Sequence, residues 1–345
     1  MNIIHFEVPT SDQPVFDKAS AIDASIKEAR TEYSIENLTI ESVSKAAQAE
    51  IITIFVNSKV DAATIDALPN LKLLVTRSTG FDHIDVAHAQ SKGITVCNIP
   101  GYGSRTVAEF TFALMLGLSR KVFGAVEQIK TKNSWDMSQF EGFNLQSKTL
   151  GVVGTGRIGL NVAQIAKGFD MKIIAFDAFP NEQKASAYGF TYAANLNALL
   201  AASDIVTLHV PATPETHHLI NKDNITQFKK GAMLINTARG DVADPEAILA
   251  GLHAEILAGV ALDVLEGEQD LKEEAELMSA NALSAEKLKV LLDDHLLMDN
   301  PKVLITPHIA FNTTEARGEI ITTTIVNIQS YLSGEPQNII TTTHA

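Results

Sequence analysis

Short apolar runs alternate with helical patterns from one end of the chain to the other. Residues 2–7, 51–56, 73–77, 95–98, 149–153, 172–177, 205–209, 232–236, 258–263 and 303–306 read as strands. Most of these runs are apolar at nearly every position, where a strand with one wet face would alternate. That pattern predicts parallel strands buried on both faces. Regular strand–helix alternation predicts an α/β class with doubly wound sheets. Residues 108–130 have the length and periodicity of one long helix. Residues 315–332 read as another, stopped by Ser333-Gly334-Glu335-Pro336.

The run ending at Val153 breaks into Gly154, Thr155, Gly156, Arg157, Ile158 and Gly159, and a helical pattern through Val162, Ile165, Ala166 and Phe169 follows at once. Strand, glycine turn and helix in that order form a dinucleotide fingerprint. The first glycine makes the turn, the second admits a pyrophosphate, and the third lets helix and strand pack closely. The free N–H groups of the helix start face the phosphates. A second strand ends at Asp177, 21 positions past Gly156. A carboxylate at about 20 positions is suited to the adenosine ribose hydroxyls. NAD is therefore the expected cofactor. Gly101-Tyr102-Gly103 also joins a strand to a helix, but Thr106 replaces the third glycine, so it reads as an inter-domain turn.

The fingerprint begins near residue 150, so a complete α/β unit precedes it. Two Rossmann-like doubly wound domains with parallel sheets are expected, with an active-site cleft between them. Residues 1–101 and 310–345 are assigned to a discontinuous substrate-binding domain, and 102–309 to the NAD-binding domain. Residues 269–302 do not fit the repeat. Leu283, Leu288, Leu291 and Leu292 are expected to form an apolar helix face there. The acids Glu268, Asp270, Glu273, Glu274 and Glu276 read as a solvated face, and no metal is expected.

Composition narrows the function. The net charge of −14 and the lack of a basic stripe argue against nucleic acid as a partner. The single cysteine, Cys97, rules out a disulfide framework and suits a reducing cytoplasm. It reads as a packing thiol. No leader peptide is expected from MNIIHFEVP, and no run approaches the ~18 apolar residues of a membrane helix.

Three residues past strand ends have chemistry to offer: Arg239, Glu268 and His308. In open α/β sheets ligands bind beyond the carboxyl ends of strands. A guanidinium forks onto a carboxylate. A histidine supplies the proton that a carbonyl needs on becoming an alcohol. A carboxylate beside an imidazole orients the ring and favours its charged form. Around a dinucleotide fold, this set points to hydride transfer to a 2-oxo acid.

The segments RSTGFDHID (residues 77–85), GTGRIG, HVPATPETHHLIN (209–221), INTARG (235–240), ALDVLEGE (261–268) and TPHIAF (306–311) together resemble the D-isomer-specific 2-hydroxyacid dehydrogenases over nearly the whole chain. The resemblance implies catalytic roles for Arg239, Glu268 and His308. It implies cofactor contacts at Asp177, His209, Val210, Pro211, Thr237, Ala238 and Asp263, besides the glycine turn. It implies substrate contacts at Thr79, Gly80, Tyr102 and Phe311. Tyr102, Phe311 and the long Glu268–His308 spacing are most similar to the branch that reduces pyruvate to D-lactate. No C-terminal regulatory domain is expected. Gly103-Ser104-Arg105 and Asn312 depart from that branch and leave hydroxypyruvate, glyoxylate and phenylpyruvate open as substrates. A corepressor-like dinucleotide sensor is the alternative from another class. A homodimer is expected.

Overall fold

The computed structural model describes residues 1–21, 23–268, 271 and 284–341. The chain divides into two compact units, Met1–Tyr102 with Asn312–Ala345, and Gly103–Phe311.

The first unit holds β1 (Asn2–His5), β2 (Arg30–Tyr33), β3 (Ile51–Ile54), β4 (Leu73–Thr76) and β5 (Thr95–Cys97). They form one sheet in the order β2-β1-β3-β4-β5, with every pairing parallel. Neighbouring strand residues feed opposite cores. Ile4, Ile52, Leu74 and Val96 pack on one face, and Ile3, Ile51, Leu73 and Cys97 on the other. Both faces are therefore dry, which explains the unbroken apolar runs. The C-terminal helix Thr314–Leu332 covers the second face with Ile321, Ile325 and Ile328. Thr313 caps its start, accepting from the Ala316 N–H at 3.2 Å. Cys97 is buried in this core, and burial pushes its thiol up to about 12, so it stays protonated.

The second unit holds β6 (Thr149–Val153), β7 (Lys172–Phe176), β8 (Thr191–Tyr192), β9 (Ile205–Leu208), β10 (Ala232–Asn236), β11 (Leu257–Leu262) and β12 (Val303–Ile305). Their order is β12-β11-β10-β9-β6-β7-β8, again with every pairing parallel. Leu150, Val152, Ile235 and Ala261 face one core, and Val153, Leu234, Val260 and Leu262 the other. Phe112 and Phe169 stack at 5.2 Å between the helices Ser104–Ser119 and Arg157–Gly168. The strand order reverses direction between β6 and β9, which is where such sheets bind ligands. No helix among the described residues is long and apolar enough to cross a membrane.

Several expectations need correction. The strands β2 and β8 lie at sheet edges, and their polar, half-exposed residues hide them from an apolar-run search. The single helix expected over 108–130 is two, Ser104–Ser119 and Val122–Lys132. Lys121 between them takes a left-handed backbone (φ 54°). Gly117 permits the fold-back: a Cβ there would lie 2.3 Å from the Phe123 ring. In the helix Ala285–Met298, Leu291 packs inward but Leu288 and Leu292 are exposed; the buried face is Leu291, Asp294 and Leu297. Leu283, Asp270, Glu273, Glu274 and Glu276 lie outside the described residues.

Buried Arg77 ties the carboxyl ends of β1 and β3 together. Its guanidinium donates to the carbonyls of Phe6, Glu7 (2.9 Å) and Ile54 (3.3 Å), against the rings of Phe16 and Phe55. Burial lowers its pKa to about 10, which still leaves it charged at neutral pH. Arg77→Met should remove the guanidinium donor from the Phe6 and Glu7 carbonyls, while the Ile54 carbonyl keeps the residue-77 N–H (2.8 Å), and destabilise this unit by about 2 kcal/mol. Amide exchange in β1 and β3 should then quicken roughly 30-fold, as read by hydrogen–deuterium exchange.

Candidate active site

The fingerprint glycines have separate, visible causes. Gly154 has φ +94°, and a Cβ on it would sit 2.6 Å from the His209 carbonyl oxygen. Gly159 would place a Cβ 2.0 Å from the Gly154 oxygen, so the helix Arg157–Gly168 approaches β6 only through glycine. At Gly156, the N-cap, a Cβ would meet nothing within 4 Å. Sterics of the protein itself thus require Gly154 and Gly159. The open approach at Gly156 is a cradle that suits a pyrophosphate.

Asp177 stands just beyond β7 and is tied to this turn. Its carboxylate accepts from the Thr155 N–H (2.6 Å), the Thr155 hydroxyl (2.8 Å) and the Phe179 N–H (2.9 Å). Across the switch point, His209 follows β9 and bonds the Thr207 hydroxyl through Nε2 at 2.9 Å. Burial lowers its pKa to about 3, so the ring is neutral. Val210 and Pro211 continue this loop, and the Pro211 carbonyl accepts from the Thr216 hydroxyl at 2.6 Å. Thr237, past β10, pairs its hydroxyl with that of Thr111 at 3.1 Å.

Arg239 lies two residues further on. Asn236 shapes its turn, accepting from the Ala238 N–H (3.0 Å) and donating to the Arg239 carbonyl (2.8 Å). The guanidinium Nη1 also donates to the Ala238 carbonyl at 2.8 Å. At Gly240 a Cβ would fall 2.1 Å from the Leu265 carbonyl carbon. That close approach brings the Arg239 turn against the loop carrying Glu268.

His308 Nδ1 is 2.9 and 3.1 Å from the two oxygens of Glu268. Both side chains are about one-quarter exposed, so the ring is held yet reachable. The His308 backbone is left-handed (φ 53°). Asp263, 1 % exposed, fixes that turn. Its carboxylate accepts from the Thr306 hydroxyl (2.5 Å) and the N–H groups of Ile309 (3.0 Å) and Ala310 (2.8 Å). Its own carbonyl accepts from the His308 N–H at 2.9 Å. Burial raises the Asp263 carboxyl above its ordinary value, and these bonds oppose the rise. The Phe311 ring meets His308 edge-on at 6.5 Å.

The remaining predicted residues belong to the first unit. The Thr79 hydroxyl donates to the Ile99 carbonyl (2.8 Å), the Thr79 carbonyl accepts from Asn98 Nδ2 (2.8 Å), and the Gly80 carbonyl accepts from the Ser78 hydroxyl (2.6 Å). The turn after β4 is thereby stitched to the turn that leads to Tyr102.

The sequence model described as "D-isomer specific 2-hydroxyacid dehydrogenase, NAD binding domain" matches residues 112–310. The chain belongs to the D-isomer-specific 2-hydroxyacid dehydrogenase family. It is 38 % identical over 299 residues to 2-hydroxyacid dehydrogenase A of Aspergillus oryzae, covering 86 % of this chain and 82 % of the relative. It is 39 % identical over 280 residues to a glyoxylate reductase of Thermofilum pendens, covering 80 % and 76 %. The solved D-lactate dehydrogenase of Aquifex aeolicus, complexed with NAD and lactic acid, superimposes with a TM-score of 0.84 at 34 % identity, covering 97 % and 96 %. This D-2-hydroxyacid dehydrogenase is an NAD-dependent oxidoreductase. The glycine turn, with its open approach at Gly156 and Asp177 behind it, fits that cofactor.

Two contributors escaped the sequence reading. Asn236 was visible as an Asx signal at a strand end. Asp294 carried no such signal, because it sits in an acid-rich stretch. In the fold it is fully buried, accepts the Gly267 N–H through Oδ2 at 3.1 Å, and so grips the loop one residue before Glu268. Burial, with Glu266 and Asp293 nearby, raises its pKa to about 7.

The folded dehydrogenase therefore retains a proton on Asp294 between about pH 4 and 7 that the unfolded chain has released. Stability falls as pH rises through that window. Asp294→Asn removes the titration, so its stability relative to wild type should grow by ~1–3 kcal/mol from pH 5 to pH 8. Urea melts at the two pH values check this; a gap that does not change with pH would contradict it.

Proposed function

We propose that the chain is a D-lactate dehydrogenase that reduces pyruvate, with Arg239, Glu268 and His308 as its catalytic set. The two-oxygen contact between Glu268 and His308 Nδ1 carries the reading. It leaves Nε2 as the nitrogen that exchanges a proton with substrate. Bound NADH supplies the hydride. His308 donates the proton to the carbonyl oxygen, Glu268 keeps the ring oriented, and Arg239 grips the substrate carboxylate while steadying charge on the carbonyl oxygen. In the reverse direction, neutral His308 accepts the hydroxyl proton. Phe311, edge-on to His308, is assigned to the substrate side of the ring. The reading also assigns substrate contacts to Thr79, Gly80 and Tyr102. Cofactor contacts are assigned to the turn from Gly154 to Gly159 and to Asp177, His209, Val210, Pro211, Thr237, Ala238 and Asp263.

The same proposal includes a cytoplasmic homodimer. Val122, Val126 and Ile129 line one side of the helix Val122–Lys132 and are exposed, as are Phe123 within it and Trp135 and Met137 beyond it. Such a patch suits a second copy of the chain. Light scattering should give twice the chain mass, and Phe123→Glu with Val126→Lys should shift it to the monomer.

Initial rates with NADH and pyruvate, phenylpyruvate, hydroxypyruvate or glyoxylate test the substrate. Pyruvate should have the highest kcat/KM and yield D-lactate; a higher value for glyoxylate or phenylpyruvate would overturn the assignment. Lysine keeps the charge of arginine and loses its fork. Arg239→Lys should therefore lower kcat/KM for pyruvate about 100-fold, with the NADH dissociation constant almost unchanged. Glu268→Gln should lower kcat about tenfold or more, with a smaller change in KM. Both follow from steady-state kinetics alongside NADH titration.

A further inference from the structure

The segment between β9 and β10 carries a second cluster, apart from Arg239 and His308. The Thr213 carbonyl accepts from the N–H groups of Thr216 (3.0 Å) and His217 (2.9 Å), which closes a tight turn. His218 then takes a left-handed backbone, φ 47°. That region costs a residue with a Cβ roughly 1–3 kcal/mol. The conformation is held by the His218 N–H on the Asp241 carbonyl (2.8 Å) and by Asn221 Nδ2 on the His218 carbonyl (2.9 Å). Its result is that two successive imidazoles lie face to face, with centroids 4.0 Å apart and planes at 19°. The loop beyond β11 brings Glu266 to them, and its carboxylate lies 2.9 Å from His218 Nε2. One ligand atom from each of the three residues lies within 4.8 Å of the other two.

We propose that His217, His218 and Glu266 form a binding site for a late first-row divalent cation, with Zn2+ as its natural occupant. Two imidazoles and one carboxylate suit zinc and its neighbours, whereas Mg2+ and Ca2+ prefer all-oxygen shells. Metal–ligand bonds of ~2.0–2.2 Å set tetrahedral donors ~3.4 Å apart. Glu266 and His218 lie 2.9 Å apart and need open by only ~0.5 Å, while His217 is exposed and completes the set by rotating out of its stack on His218, so that its ring plane and lone pair turn toward the shared ion. Three protein ligands leave a fourth position for water. No metal was expected from the sequence, because His217 and His218 lie 48 to 49 positions before Glu266 and show no ligand spacing. The ion would bridge the loops that follow β9 and β11, strands that β10 separates. This inference does not depend on which 2-oxo acid is reduced.

Calorimetry with ZnCl2 on the chelator-stripped, dialysed full chain tests it. One ion should bind per chain. His217→Ala and Glu266→Gln should each weaken binding about tenfold or more. His218→Asn should do the same, since asparagine tolerates the left-handed backbone and keeps the turn. Thermal melts give an independent reading: ZnCl2 should raise the wild-type Tm and leave that of the His217→Ala/Glu266→Gln variant unchanged, with MgCl2 inert for both. Equal zinc affinity in wild type and the double variant, or no zinc bound by wild type, would overturn the proposal.

Discussion

Asp263 is a carboxylate that almost no water reaches, and the turn bearing His308 is built on it. A buried anion must be satisfied by hydrogen bonds or become neutral. Here the Thr306 hydroxyl and two backbone N–H groups converge on it, and those donors are the turn itself. The same contacts hold His308 at a positive φ, a conformation a free chain rarely adopts. With the backbone held, Glu268 has only to orient the ring. Geometry at His308 thus rests on a residue of the neighbouring strand end that need not touch its Nε2 at all.

Sheet order distributes the rest. The ends of β6, β7 and β9 carry the glycine turn, Asp177 and His209, while β10, β11 and β12 carry Arg239, Asp263 and His308. The residues proposed for the cofactor and for proton transfer therefore all lie at the carboxyl ends of one sheet. Glycine sets the closest approaches in both groups. Gly159 admits the helix to β6, and Gly240 admits the Leu265 carbonyl to the Arg239 turn. These contacts are backbone on backbone, and side-chain rearrangement cannot relieve them.

Much of this was legible from residues alone. Central strands are unbroken apolar runs because both faces are covered, and such runs survive inspection one residue at a time. Edge strands do not: Arg30–Tyr33 is half wet and polar. The break at Lys121 was hidden because it depends on Phe123 folding back over Gly117, a contact that no periodicity encodes. Arg239, Glu268 and His308 were found as strand-end residues with fitting chemistry. The supports behind them were not, since Asp294 in an acid-rich helix looks like any solvated carboxylate until burial is known.

The interrupted layout of the first unit has a consequence for synthesis. Its five strands leave the ribosome before the second unit, yet the helix that packs on Ile3, Phe16, Leu73 and Val75 is made after it. The whole second unit is translated in between. At ~5–20 residues per second, those roughly 200 residues take about 10–40 s. Throughout that interval one apolar face of a parallel sheet is covered only by Phe16 and Ile26 and waits for the rest of its cover. Nascent chains of this architecture are accordingly exposed to chaperones, or to one another on a polysome, for much longer than a contiguous domain of equal size.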